Sequence, residues 1–221
     1  MLEKSLAILF ALLILATLIN RFLVWRLPER KGDEVTLRIR TWWGIVICFS
    51  LVISGPRWMT LTFFALISFL ALKEYCTLIS VHFPRWLYWV IPLNYLLIGF
   101  NCFELFLLFI PLAGFLILAT WRVFVGDPSG FLHTVSAIFC GWIMTVFTLS
   151  HAAWLLMLPT INIQGGALLV LFLLALTESN DIAQYLWGKS CGRRKVVPKV
   201  SPGKTLEGLV GGVITTMIAS L

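Results

Sequence analysis

The sequence predicts an all-α, polytopic transmembrane helix bundle of about seven complete spans and a truncated eighth. Three observations carry that expectation. Of 221 residues, 60% are hydrophobic and 12% charged, where a soluble domain carries roughly 25% charged residues. Mean hydropathy is +0.96, an apolar excess that no soluble core absorbs, so lipid must solvate much of the chain. The apolar residues also fall in long runs, broken by Pro, Gly and polar turns.

The elements follow in order. Leu6–Leu23 is apolar, with Lys4 before it and Arg21 and Arg26 near its end. It lacks a small-residue cleavage site and meets a basic stop, so it reads as a retained helix rather than a signal peptide. Arg26–Arg40 reads as a polar loop with Pro28 and Gly32. Apolar segments follow at 41–54, 57–79, 86–100, 102–121, 131–157 and 164–187. Their breaks are Gly55-Pro56, Phe83-Pro84, Asn101, the turn Gly126-Asp127-Pro128-Ser129-Gly130, and Pro159–Gly166. Segment 41–54 is short for a span and reads alternatively as half of a hairpin with its neighbour. The last segment, from Leu209 to Leu221, covers about 20 Å of a roughly 30 Å hydrocarbon layer. The expectation is a chain that stops inside a helix. In domain terms, 1–187 is a transmembrane region, 188–208 a cytoplasmic basic loop and 209–221 a truncated transmembrane helix.

The net charge of +7 is unevenly placed. Arg21, Arg26, Arg30, Lys31, Arg38 and Arg40 form one basic cluster, and Lys189, Arg193, Arg194, Lys195, Lys199 and Lys204 another without an acid. Together they hold 12 of the 17 Lys and Arg. Basic loops stay on the cytoplasmic side, and six apolar segments separate the two, an even number as that rule requires. The N-terminus then lies outside, Arg85 and Arg122 lie near cytoplasmic turns, and Arg57 is an exception. Trp42, Trp43, Trp58, Trp86, Trp89 and Trp121 fall near predicted helix ends, as an aromatic belt does; an aromatic substrate pocket is the alternative.

Cys48, Cys76, Cys102, Cys140 and Cys191 show no CxxC or metal-ligand spacing, and His82, His133 and His151 are isolated. There is no internal repeat, heptad pattern or low-complexity tract. No nucleic-acid partner is expected. A bacterial inner membrane is the expected location, and a homo-oligomer is compatible with the sequence.

A charge at the bilayer centre costs about 2.5–3.5 kcal/mol on insertion scales, so such residues normally face protein or water. Glu74, Glu104, Glu178 and Asp181 qualify. Glu104 reads as interfacial. Glu74 reads as a buried structural hydrogen-bonder or a functional acid. Glu178 and Asp181 are three apart and share one helix face; they suit either a solvated helix end or a divalent cation held by oxygen ligands.

The basic loop runs Gly188-Lys189-Ser190-Cys191-Gly192-Arg193-Arg194-Lys195, then Pro198-Lys199-Val200-Ser201-Pro202-Gly203-Lys204-Thr205-Leu206-Glu207-Gly208. Ser201-Pro202 with Glu207 beyond resembles a helix start. Backbone N–H groups there, with Lys204, suit a phosphate. The loop does not match the P-loop pattern. Plain attraction to anionic lipid, about 1 kcal/mol per base, is the alternative.

Residues 178–208 resemble the phosphatidate cytidylyltransferase (CDP-diacylglycerol synthase) family. The resemblance rests on Asp181-Ile182-Ala183-Gln184-Tyr185, on Gly188-Lys189, and on Ser201-Pro202-Gly203-Lys204-Thr205-Leu206-Glu207-Gly208. Ala71-Leu72-Lys73-Glu74-Tyr75 and the upstream helices also suit the family, and the overall pattern is close to its shorter enterobacterial paralogues. Gln184 stands where the family usually has a small residue. The family's later acidic and Pro-Gly-His-Gly-Gly elements do not occur in these residues, so the chain is similar to roughly the first two-thirds to three-quarters of a member.

The resemblance implies that CTP and phosphatidic acid give CDP-diacylglycerol and pyrophosphate at a lipid bilayer, with Mg2+ as cofactor. It implies Asp181 as metal ligand and Lys204 and Ser201 as catalytic groups on phosphate. Lys189, Arg193, Arg194, Lys199, Thr205 and Glu207 would bind substrate, with Glu207 capping the next helix or orienting Lys204. This length of chain is expected to be inactive alone. A catalytically inactive remnant and a lipid-binding or transport protein are the alternatives.

Overall fold

The computed structural model describes residues 2–26, 34–79, 83–126, 130–158 and 163–220. The predicted turns around Pro28 and Gly32, at 127–129 and at 159–162 lie outside the described residues. The protein is an all-α, multi-pass membrane bundle. Among the described residues, six helices are long and apolar enough to cross a bilayer. Helices satisfy their own backbone hydrogen bonds, which lipid cannot do, so apolar runs of this length fold this way. The chain divides into two compact units, Met1–Gly166 and Ala167–Leu221.

In the first unit, α1 (Leu2–Arg26) and α2 (Glu34–Ser54) form a hairpin. Asn20 Nδ2 donates to Thr36 Oγ1 at 3.1 Å and Trp43 Nε1 to Thr17 Oγ1 at 3.0 Å. The segment expected to be short, 41–54, is the later part of a 21-residue helix. Its start, 34–40, lies in what read as loop. Trp43 therefore sits over two turns inside α2 and bonds to α1 instead of marking a helix end.

After Gly55-Pro56, α3 (Arg57–Leu78) packs antiparallel to a shorter element, a 3-10 turn (Arg85–Trp89) leading into α4 (Val90–Gly99). The sequence reading made this a full span. At about 2 Å per residue in the 3-10 turn and 1.5 Å in the helix, it covers roughly 25 Å. The next apolar run is α5 (Phe103–Leu108), a π-helical turn (Phe109–Gly114) and α6 (Phe115–Val125). The widened turn contains Pro111, which has no N–H to offer the ladder. The last run is α7 (Phe131–Trp142), a second π turn (Ile143–Phe147) and α8 (Thr148–Leu156). Thr148 Oγ1 bonds the Ile143 carbonyl, five residues back, at 2.8 Å.

Leu72, Leu87, Phe106, Ile110, Leu118, Ile138 and Val146 are fully buried in this unit. At one end Arg57 Nη2 donates to the Ile98 carbonyl at 3.0 Å and to Asn101 Oδ1, and Nε approaches Met157 Sδ at 3.2 Å. One guanidinium thus joins the ends of three helical runs. Asn101 has a φ of 59°, a left-handed conformation that asparagine tolerates better than most residues. At the other end Trp86 meets Trp121 edge-on at 5.6 Å. Arg85 and Arg122 are the chain neighbours of that pair. Glu74 is exposed one turn before the end of α3, so it is not the buried hydrogen-bonder that the sequence also allowed; the helix rotates it away from the core that Leu72 enters.

The second unit is α9 (Ile163–Cys191, counted from Ala167), a β-hairpin and α10 (Leu206–Ala219). Strand β1 (Lys195–Val197) pairs antiparallel with β2 (Ser201–Thr205), Lys195 opposite Thr205 and Val197 opposite Ser201, with a register irregularity between. The helices pack through small residues. A methyl group added at Gly208 would lie 2.8 Å from the Gln184 carbonyl oxygen and 3.0 Å from Gly188 Cα. Trp187 Nε1 donates to Thr215 Oγ1 at 3.0 Å and Thr216 Oγ1 to Asn180 Oδ1 at 3.3 Å. Small side chains with interhelical hydrogen bonds are the usual means of helix association in lipid, where apolar burial drives nothing.

Candidate phosphate site on the basic hairpin

The segment expected to be a loop is largely ordered secondary structure. α9 runs on through Gly188 and Lys189 to Cys191. The expected helix start at Ser201-Pro202 is instead strand β2, and the helix begins at Leu206. The reason is local: Val196, Val197 and Val200 favour extended backbone. Pro198 follows Val197, whose carbonyl accepts from Val200 N–H at 3.1 Å to close a turn.

Thr205 is the hinge of the arrangement. It is 6% exposed and caps α10, its Oγ1 accepting from Gly208 N–H at 3.2 Å. A Cβ on Gly188 would lie 3.1 Å from this hydroxyl oxygen. A Cβ on Gly192 would lie 2.6 Å from the same oxygen and 2.1 Å from the Gly188 carbonyl oxygen, so that position takes glycine alone. Thr205 thus holds the fold of the site, whatever else it touches.

Glu207, in the first turn of α10, reaches across the hairpin. Its Oε2 accepts from the Arg193 main-chain N–H at 2.9 Å and from Arg194 N–H at 3.1 Å. The Arg193 amide, with its own and that of Arg194, holds the carboxyl below the usual carboxylate range. In return Leu206 N–H donates to the Arg194 carbonyl at 2.8 Å. Sequence reasoning gave Glu207 a cap or a contact with Lys204, and missed this clamp. The pairing depends on a register that no local pattern announces.

Lys189, Arg193, Arg194, Lys195, Lys199 and Lys204 are all exposed. Lys189 Nζ lies 5.8 Å from the Tyr185 ring centroid. Asp181, Tyr185 and Lys189 are spaced four apart and form one line along α9. Asp181 is exposed and Glu178, on the neighbouring side, is half-buried. The structure therefore gathers Thr205 and Glu207 with the Arg193 and Arg194 main chain, Lys204 being next to Thr205 in β2, and places Ser201 at the turn end of the hairpin, opposite Val197. It leaves Asp181 about 12 Å along the helix from Lys189. Among the described residues, no three His, Cys, Asp or Glu side chains form a metal-binding group. Glu178 and Asp181 are hard oxygen donors, too few for a closed cage. That suits a cation such as Mg2+, which keeps several waters and takes phosphate oxygens.

A family model described as the cytidylyltransferase family matches residues 36–221. This chain belongs to that family. Helix α1 precedes the matched region, and the hairpin lies within it. The chain is 94% identical over 221 residues to a protein of Escherichia coli (strain K12) named "Uncharacterized protein YnbB", covering 100% of this chain and 74% of that protein. It is 31% identical over 115 residues to the phosphatidate cytidylyltransferase of Bacillus subtilis (strain 168), covering 49% of this chain and 39% of the relative. With the phosphatidate cytidylyltransferase of Haemophilus influenzae, identity is 43% over 53 residues, 24% of this chain and 18% of the relative. No solved structure matches. The family is one of nucleotidyltransferases of phospholipid biosynthesis, and this cytidylyltransferase-family chain has the apolar helices of a membrane member.

Proposed function

We propose that the chain carries the nucleotide-phosphate portion of a phosphatidate cytidylyltransferase. In that reaction an oxygen of the lipid phosphate attacks the α phosphorus of CTP. The new P–O bond forms, the bond to the β phosphate breaks, and pyrophosphate leaves. The product is CDP-diacylglycerol. Both reactants are anions, so their approach needs cations fixed in place beforehand.

The observation that carries the reading is the clamped hairpin: exposed Arg193, Arg194, Lys195, Lys199 and Lys204 on or beside a strand pair whose base Glu207 of α10 clamps, directly after the membrane helix that bears Asp181. Lys204 and Ser201 are assigned to the reacting phosphates. Lys189, Arg193, Arg194 and Lys199 draw in the triphosphate or the lipid headgroup. Asp181, with Glu178 nearby, would hold Mg2+, which supplies charge neutralisation at the phosphate oxygens when bound. Basic segments favour the cytoplasmic side of a membrane; we assign the hairpin and the six cations of residues 188–204 to that compartment, where CTP is found, at the inner membrane of a bacterium.

The test is incorporation of labelled CTP into lipid by membranes containing the chain extended by the remainder of its 94%-identical relative. Lys204→Gln and Asp181→Asn should each lower the rate by about 100-fold or more, the cost of losing one preorganised charge partner in a transition state. Transfer at the parental rate by both variants would sink the assignment.

A further inference from the structure

Charge alone does not account for Glu207. Residues 188–204 carry six cations and no acid, and Glu207 follows at once. A carboxylate beside cations that must hold an anion weakens that hold by like-charge repulsion. Its geometry supplies another use. Its carboxylate takes the Arg193 and Arg194 amides, at 2.9 Å and 3.1 Å. The Arg194 carbonyl meanwhile accepts from Leu206 N–H at 2.8 Å. The Arg194 main chain is therefore held at both its polar groups by the first turn of α10. Between the end of α9 at Cys191 and the first ladder pair at Lys195, these bonds set the path of the chain. The cations at 193, 194 and 195 leave from that path.

We propose that Glu207 is a positioning residue for nucleotide binding. It gathers the two arginine amides and so aims the cations of the hairpin base, without touching the ligand. The inference rests on the reading of the hairpin as a triphosphate site. It explains why an acid stands where electrostatics disfavours one: two charge-assisted hydrogen bonds to consecutive amides need a full carboxylate. Oε2 takes both amides and Oε1 takes the Arg194 N–H again at 3.3 Å; a neutral amide forfeits the charge on the shared oxygen and sets an N–H against the Arg194 amide where Oε1 accepts.

The two accounts of Glu207 differ in sign, which makes the test decisive. The chain in phosphatidylcholine nanodiscs is titrated with CTP and magnesium, for the parent, Glu207→Gln, Glu207→Asp and Lys204→Gln. If Glu207 acts only through its charge, Glu207→Gln binds CTP more tightly. If it positions, Glu207→Gln binds about tenfold more weakly, a loss of about 1.4 kcal/mol, and with a shallower dependence on salt, because fewer cations reach the ligand. Amide hydrogen exchange at Arg193 and Arg194 then quickens while that of α10 stays at the parental rate. Glu207→Asp recovers part of the affinity, as its shorter carboxylate keeps one amide.

Equal or tighter binding by Glu207→Gln, with Lys204→Gln weakened, overturns the positioning role and leaves the triphosphate reading standing. Parental binding by Lys204→Gln, or none by the parent, instead overturns the reading beneath it. Should Glu207→Gln lose protection throughout α10, Glu207→Asp decides: parental affinity together with quickened exchange at Arg193 and Arg194 overturns the proposal.

Discussion

Residues up to Gly166 bury many large side chains around a core, whereas from Ala167 onward the two helices meet mainly at glycines, Gly188, Gly208, Gly211 and Gly212. The first unit buries Phe106, Ile110, Leu118 and Ile138 completely. In the second, the close contacts are made by Gly188, Gly208 and Gly212, with Thr205 and Ala183 buried beside them. The polar groups divide in the same way. The first unit encloses Asn94 with neither side-chain polar atom bonded, and its Arg57 ties helix ends. The second spends its hydrogen bonds on holding a cationic hairpin to two helices. Large-residue packing makes a frame. Glycine packing brings backbones close enough for Thr205 and Glu207 to lock a short loop in one geometry.

Three substitutions break or sharpen this contrast, in decreasing order of effect. Phe106→Ala opens a cavity beside Phe147 and His151, whose rings lie 5.7 Å and 5.0 Å away. It should cost about 3–5 kcal/mol in a detergent unfolding titration, while the folded fraction binds CTP as the parent does. A coupled loss of affinity would show that the two units are not separable in function. Gly208→Ala places a methyl against the Gln184 carbonyl and Gly188 Cα. Both are backbone and cannot rotate aside, so the helices must part, at about 1–3 kcal/mol. Here CTP affinity should fall along with stability. Asn94→Leu removes a buried amide that has no partner. Its effect on the unfolding midpoint should be neutral or stabilising, within about 1 kcal/mol, because no bond is lost and a desolvated group is removed. A loss of several kcal/mol in that titration would refute the view that Asn94 is only enclosed there.

Much of the bundle was legible because a membrane span needs only length and apolarity. The helices at 57–78, 131–156 and 163–191 lie close to where runs and breaks put them. The reading failed where polarity and helix part company. Arg38 and Arg40 lie inside α2, whose first two turns are charged or polar at every other position, so the apolar run alone did not mark its start. Segment 86–100 looked like a span, yet its first turn is 3-10 and its length falls short. The hairpin was hidden by its charge: six cations read as loop, although Val196-Val197-Pro198 already carried β-branched residues before a turn-forming proline. Glu74 was misjudged for a different reason, since composition alone does not tell which way a helix faces.

Of the candidate site, its residues were named before its geometry was known. The Ser201–Gly208 stretch, the basic cluster and Asp181 are each one-dimensional signals, short in sequence and chemically distinct, so a linear reading finds them. The use of Thr205 as cap and filler, and of Glu207 as a clamp on Arg193 and Arg194, is a matter of register. Residues 14 and 13 apart meet because a turn at Pro198 and three glycines allow it. Composition decided that the chain folds in lipid and where its cations lie. Tertiary packing alone decided which of those residues hold the hairpin and which are left exposed, because hydrogen bonds and close contacts depend on directions in space that no order of residues states.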